Sequence, residues 1–502
     1  MKHLGLLMKA KRRDKLLRKG EVYVPHMNCR VTRVGLTGVF LWGIIGLMMV
    51  LPGTAWAGGH TVKVPPPNGV DDTAKIQAAL ETCVRYGPGC TVQLAAGTYF
   101  TKQVVVYNFQ GTFKGTGIDS TTIEALPNLP VNWPDQTVAS CQPNLTTCIW
   151  PSVFEFVEGN ISVSDLTIKA TAIPPTQPYV YAGSPLNDLY EVLGFTGQYP
   201  TYVSVDRIGM EGLPYSLGAF GYTVENSVHY SGDFPRSSAA YDYYFLSGSF
   251  TVRSSYFENV GLAISQDAYS TSSQITIGGS PSAGNHIENV LGGLDIEASE
   301  KSVFEISYNE SSGSSAGMWV APTWVPFFPS SPSQYFIHDN KFIGTAQNAD
   351  GIYLYDEVPP YIQAAVWNNT AEVQSFPSEG IGVYNTKGTA VWNNSVTGSD
   401  GTDGIGLWST TLDAVSNNNV SGFTVDSTSG LAQIYLDPST TNDLVVCAER
   451  SDTVLNQGTN NAVIGCQQST ASADSAEDAR SAARGASDTR RSLSKRKPLM
   501  PR

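Results

Sequence analysis

The chain has 502 residues, 41% of them hydrophobic and 15% charged, with 48 glycines and 24 tyrosines. That balance excludes a disordered chain or a charge-rich helical rod and fits a β-rich body with many turns. Residues 58–466 carry 13 basic and 38 acidic side chains, a net of −25, which disfavours nucleic acid and anionic lipid as partners and also serves solubility.

The N-terminus reads as a targeting segment. Residues 34–51 form an apolar run preceded by basic residues and followed by Ala55-Trp56-Ala57. This pattern predicts a signal peptide over residues 1–57, cleaved after Ala57, and hence a secreted or periplasmic protein with no membrane contact after cleavage. The competing reading is an uncleaved anchor, because the run is nearly long enough to span. Of seven cysteines, Cys29 would leave with the signal. The others fall into three local pairs, Cys83 with Cys90, Cys141 with Cys148 and Cys447 with Cys466. In an exported chain they are expected to form disulfides. A metal site is the weaker reading, since there is no CxxC spacing and no histidine near a pair.

After a linker rich in Pro and Gly, a helix is expected over about residues 71–86. Asp71 or Asp72 is placed to cap it, and Ile76, Leu80, Cys83 and Val84 share one face. Gly87-Pro88-Gly89 ends it, and short strands follow near residues 91–94, 98–100 and 104–106. The stretches DDTAKIQAALETC, GCTVQLAAGTYF and GTFKGTGIDSTTIEA resemble the opening of the pectate-lyase superfamily. The resemblance covers roughly residues 65–125. It implies an all-β, right-handed parallel β-helix whose first coil is plugged by an N-terminal capping helix. A polysaccharide lyase or glycoside hydrolase is the activity it suggests.

Internal repeats point to the same solenoid. An apolar-x-x-Asn element ends at Asn309, Asn340, Asn369, Asn394 and Asn418. A Gly-apolar-x-apolar element begins at Gly261, Gly293, Gly317, Gly351, Gly380 and Gly404, and more loosely at Gly430. These read as two strands of one coil, repeated over a domain spanning residues 58–466. Stacked asparagines can pair their amides from coil to coil, and Asn tolerates the left-handed backbone of a tight turn. Longer loops are expected at 127–150, 173–200, 208–240 and 321–335. A disordered tail is expected at 467–502.

Alternation within the glycine element points every second residue outward. The outward rows then read Ala263, Asp295, Trp319, Tyr353, Gly382, Gly406 and Ser265, Glu297, Ala321, Tyr355, Tyr384, Trp408. Aromatic faces suit an extended glycan, so Trp319, Tyr353, Tyr355, Tyr384 and Trp408 are candidate substrate-binding residues. High β-propensity alone would also enrich them. Asp295 and Glu297 have Cβ atoms roughly 6.5–7 Å apart on one side of a strand, a spacing from which acid and base roles can be shared. Asp267 is a further acidic candidate. These carboxylates could instead hold Ca²⁺, the one cofactor the composition suggests. A second outward row runs Arg253, Ser307, His338, Trp367, Trp392, with Glu305 nearby. Arg253 is the candidate base of a lyase, or else a salt-bridge partner.

The reaction is less legible than the fold. The paired Asp-Asp and Gly-His-Gly patterns of polygalacturonase-like hydrolases are missing. So are the Asp-Pro-His motif of alginate epimerases and the Arg-x-Pro-x-x-Arg segment of pectate lyases. Two readings remain: an enzyme acting on a polysaccharide along the outer face, or a non-catalytic glycan-binding or cell-surface protein.

Overall fold

A computed structural model describes residues 59–126, 152–169, 191–196, 201–211 and, from 243 to 469, all but 245–247, 259–261, 267–272, 291, 298–300, 315, 322–331, 346–348, 357–361, 375–377, 399–402 and 424–431. The predicted signal peptide, the Cys141–Cys148 pair and the tail beyond residue 469 lie outside the described residues. Among the described residues there is one α-helix, Thr73–Tyr86, and no helix long and apolar enough to cross a membrane.

Everything after the helix is strand and turn. The coil starting at Asp350 shows the unit: strand Asp350–Tyr355, strand Ile362–Trp367, strand Thr370–Val373. The next coil repeats it as Glu379–Tyr384, Ala390–Trp392 and Ser395–Gly398. Corresponding strands pair in parallel, so three faces run along the axis. Parallel crossovers are right-handed, and the fold is the right-handed parallel β-helix with a helical cap that the opening residues suggested. The first face is a separate nine-stranded sheet, from Leu262–Gln266 to Gln467–Ser469.

Each strand sends alternate side chains inward. On the first face Met318, Ile352, Ile381, Ile405, Ile434 and Val454 stack as one buried column. On the second face Ile306, Ile337, Val366, Val391, Val415 and Val445 do the same. The glycine element explains itself at Gly351. A Cβ there would lie 2.6 Å from the Ala371 Cβ of the third face and 2.5 Å from the carbonyl oxygen of Gly380 in the next coil. Only glycine lets the strand turn this corner so tightly.

The cap helix buries Ile76, Ala79, Leu80 and Cys83 against the first coils, with Val84 half-buried. A parallel solenoid would otherwise expose its core at this end. The Asp72 side chain is buried and caps nothing; it accepts from Lys75 Nζ at 2.8 Å. Asp71 instead accepts from the Thr73 backbone N–H at 3.0 Å and its hydroxyl at 2.6 Å, and these bonds hold its carboxyl below the usual range. Cys83 and Cys90 form a disulfide that ties the helix to the first-coil strand Cys90–Gln93. Cys447 and Cys466 form a second at the far end.

Two side-chain ladders lock coil to coil. In the first, Asn309 Nδ2 donates to Asn340 Oδ1 at 2.9 Å, Asn340 to Asn369 at 3.0 Å, Asn369 to Asn394 at 3.0 Å and Asn394 to Asn418 at 2.9 Å. Asn285 begins this run, donating to Asn309 at 2.8 Å. The left-handed backbone falls on the preceding residue, as at Asn368, Asn393 and Asn417, rather than on the ladder asparagine itself. In the second ladder the backbone N–H of Thr389 donates to Asp413 Oδ1 at 2.8 Å, that of Asp413 to Asp443 at 2.8 Å, and that of Asp443 to Asn461 at 2.9 Å. The Thr386 and Thr410 hydroxyls donate to Asp413 and Asp443. Burial pushes the Asp413 carboxyl up to about 7, with the charge of Asp443 adding to the rise.

Several sequence boundaries shift. Leu262 pairs with Gly292, so Ala263 rather than Gly261 lies opposite Gly293. Asp403 pairs with Ala432, so Gln433 rather than Gly430 follows Gly404. The strands Glu191–Thr196 and Ser333–His338 occupy parts of expected loops, and Gln467–Ser469 extends the solenoid into the expected tail.

Asn369→Ala strips partners from the Asn340 and Asn394 side chains and from the Ile337 carbonyl. With unmatched buried groups costing about 1–3 kcal/mol each, stability falls by at least about 2 kcal/mol. Denaturant unfolding measures it. Asp413 predicts the pH profile. Its folded pKa of about 7 lies above its model value of 3.8, so its contribution is fully present below about pH 4 and is lost as pH rises toward 7. Asp413→Asn removes that titration. The native chain's melting temperature therefore drops relative to the variant's between pH 4 and 7, and the difference is constant above.

Candidate functional site

The outward rows of the first face are set by backbone pairing. Ser265 lies opposite Asp295, Asp295 opposite Trp319, then Tyr353, Gly382, Gly406 and Tyr435 follow in register. Two residues on, Tyr355 lies opposite Tyr384, and Tyr384 opposite Trp408. Asp295 thus heads a row that leads directly into the aromatic residues, and Glu297 lies opposite Ala321. The side chains of Asp295 and Glu297, and Asp267 altogether, lie outside the described residues. The sequence alignment had set Ala263 against Asp295, one slip of two residues from the observed register.

The rings form one continuous run. Trp319 meets Tyr353 edge-on at 5.2 Å, and Tyr353 lies 4.7 Å from Tyr384. Tyr384 stacks on Trp408 at 5.7 Å and 6°, and Trp408 meets Tyr435 edge-on at 4.7 Å. Tyr355 lies beside Tyr353 at 6.4 Å. Trp319, Tyr353 and Tyr384 are half-buried, whereas Tyr355, Trp408 and Tyr435 are buried. The run points away from the core but is not an open platform along its whole length.

One carboxylate is set into this run. Glu379 begins its strand, and the tight corner at Gly380 puts its side chain over the outer surface. Its carboxylate lies above two glycines. A Cβ at position 382 would overlap Glu379 Oε2, and one at 406 would lie 3.3 Å from it. The Tyr384 hydroxyl donates to Glu379 Oε2 at 2.8 Å. Burial raises the Tyr384 phenol well above its ordinary value, and the Glu379 charge adds to this. The phenol therefore stays protonated and remains a donor at any working pH. Two further acids start the neighbouring strands in register, Asp350 and Asp403. Asp350 accepts from the Glu379 backbone N–H at 3.1 Å, and Asp403 from that of Ala432 at 3.1 Å.

Sequence reasoning passed over Glu379, Asp350, Asp403 and Tyr435. The signal was present: the acid-Gly-Ile triplets DGI, EGI and DGI stand in successive coils. Strict alternation from Gly380 turns Glu379 inward, and only the corner at the glycine reverses that.

Arg253 sits on the second face, 48% exposed, with its Nε 3.4 Å from Asp206 Oδ1. It is in another sheet from Asp295 and Glu297, and Asp206 also pairs with Arg207. Among the described residues no three His, Cys, Asp or Glu side chains converge on a point where a metal ion would be held. The described acids of the first face bond to chain N–H and O–H donors rather than facing one centre, so they do not fit Ca²⁺.

No family model and no curated protein matches the chain. Among solved structures it is similar to the A-module of the mannuronan C-5 epimerase AlgE6 of Azotobacter vinelandii, at 12% identity and TM-score 0.45, over 80% of this chain and 96% of that one. It is also similar to the DFA-IIIase of Arthrobacter chlorophenolicus A6 in complex with DFA-III, at 11% and 0.44, over 82% and 98%. The Dettilon tailspike protein is similar at 9% and 0.39, over 78% and 69%. The architecture rests on the strand pairing itself.

Gly382→Ala places a methyl group where the Glu379 carboxylate lies. The carboxylate must move, and the Tyr384 bond to it breaks. The expected outcome is an unchanged far-ultraviolet dichroism spectrum and an altered Tyr384 environment. A near-ultraviolet difference spectrum against the native chain checks it.

Proposed function

We propose that the protein acts on an extended glycan laid along the first face, as a carbohydrate-active enzyme of the hydrolase type. The observation that supports this most is the run Trp319, Tyr353, Tyr384, Trp408, led by Asp295 in register and carrying Glu379 at its centre. Aromatic rings take the C–H faces of sugars, and flanking carboxylates take hydroxyl groups. Asp295 and Glu297 are the proposed acid and base, and Asp267 a supporting acid. Tyr353, Tyr355, Tyr384 and Trp408 are the proposed substrate contacts, with Glu379 holding sugar hydroxyls.

A hydrolase is favoured over a lyase by the residues of the face. Its described strands contain carboxylates and phenols but no Lys or Arg. Elimination from a uronate needs a base beside a cation that neutralises the acid. Glycoside hydrolysis needs only two carboxyl groups suitably spaced. Arg253, the lyase candidate, is on the second face beside Asp206. The second reading is a non-catalytic glycan-binding protein, favoured by the burial of Tyr355 and Trp408. Secretion fits the two disulfides, which persist in an oxidising compartment.

A panel of neutral and acidic polysaccharides tests the reading. New reducing ends without the absorbance of unsaturated uronate are the expected result. Asp295→Asn and Glu297→Gln each lower the rate by about 10²–10⁴-fold with binding retained. Glu379→Gln raises KM more than it lowers kcat. Unsaturated products would replace hydrolysis with elimination, and binding without products would establish the second reading.

A further inference from the structure

The second face carries a ring column that the proposed function does not use. His338, Trp367 and Trp392 lie in register on successive coils. His338 stacks on Trp367 at 4.2 Å and 16°, and Trp367 on Trp392 at 5.1 Å and 7°. The imidazole end is occupied: His338 Nε2 lies 2.6 Å from Glu305 Oε1, and Nδ1 lies 2.7 Å from Asp339 Oδ2. The indole end is different. The next residue in register after Trp392 is Ser416, and the next after that is Val446. Among the described residues the far side of Trp392 meets no other ring.

The row therefore has a gap one coil deep. Its floor is Ser416, half-buried; one wall is the face of Trp392, and the other is Val446, with Ile464 beyond it 55% exposed. Two coil steps separate the walls, about 9.6 Å at about 4.8 Å per step. A single saturated ring in van der Waals contact with both sides, at about 3.5–4.0 Å each, fills that space. The rim is polar and uncharged: Asn417 Nδ2 donates to Asn393 Oδ1 at 2.6 Å, both exposed.

We propose that the gap over Ser416 is a saccharide-binding site taking one neutral hexopyranose ring, with its C–H face on Trp392 and its hydroxyls on Ser416, Asn393 and Asn417. The indole supplies the apolar contact, and the amides supply donors and acceptors without charge. A uronate is disfavoured, since no cation lines the rim and the body is strongly acidic. The site lies on a different face from the proposed catalytic residues and stands independently of them.

The test uses the full chain labelled with 5-fluorotryptophan and titrated with cellohexaose, mannohexaose and maltohexaose. The fluorine resonance of Trp392, assigned by its loss in Trp392→Phe, is expected to shift saturably with at least one of the three. Ser416→Trp fills the gap with the chain's own ring and extends the stack, so it should fold and bind that sugar at least about tenfold more weakly, a change of about 1.4 kcal/mol. Trp392→Ala, which removes the wall instead, gives the same loss read by calorimetry. Glu379→Gln keeps the Trp392 response, which separates this site from the first face. No shift with any of the three sugars, or a loss smaller than tenfold in both Ser416→Trp and Trp392→Ala, overturns the proposal.

Discussion

Coil-to-coil register governs everything on this molecule's surface. Strands that pair in a parallel solenoid come from residues some two to three dozen positions apart, with no hairpin to set their alignment. A slip of one residue would turn the inward columns of isoleucine and valine out to solvent. The ladders oppose that slip at two separate turns. Each ladder asparagine accepts from the backbone and the amide of the coil before it, as Asn369 does from Asn340 at 3.0 Å in both cases. The Asp413 and Asp443 ladder does the same at the turn between the first and second faces. A shifted coil leaves these buried polar groups without partners, at a cost hydrophobic burial elsewhere would not recover. The alignment of Asp295 with Trp319, or of Trp392 with Ser416, follows from this locking.

Much of the architecture was legible because periodic chemistry announces it. The cap helix showed its apolar face and its glycine stop, and the asparagine element showed the coil length. The local cysteine pairs at both described ends matched observed disulfides. What failed was register where the repeat is imperfect. Gly261 and Gly430 look like members of the glycine element, yet Ala263 and Gln433 take those positions. Asn285 begins the ladder without the apolar-x-x spacing that marks its successors. Such errors have a physical source: pattern matching fixes composition, while backbone pairing fixes position.

Glu379 illustrates the deeper limit. Its outward direction depends on the corner at Gly380, where the strand passes too close to the next coil for a side chain. Alternation counted along the sequence has no knowledge of that corner. A residue at such an irregularity is displaced from its expected face, and here the displacement delivers a carboxylate to the aromatic run. Local geometry at one glycine, rather than any motif, creates the most distinctive polar group of the first face.

The two outer faces also show why a small residue in an aromatic row has two fates. On the first face, Gly382 and Gly406 interrupt the rings, but Glu379 and Trp408 are long, close in sequence, and fold back over the vacated space. That gap is closed by the chain itself. On the second face, Ser416 interrupts the column below Trp392, and its strand neighbour on the same side is Ala414, too short to reach across. Asn418, beyond it, is buried in the ladder and committed to the Val391 carbonyl. Neither can fold over Ser416 as Glu379 folds over Gly382. The length of the nearest neighbours, then, decides which interruption becomes packing and which remains a space for something else.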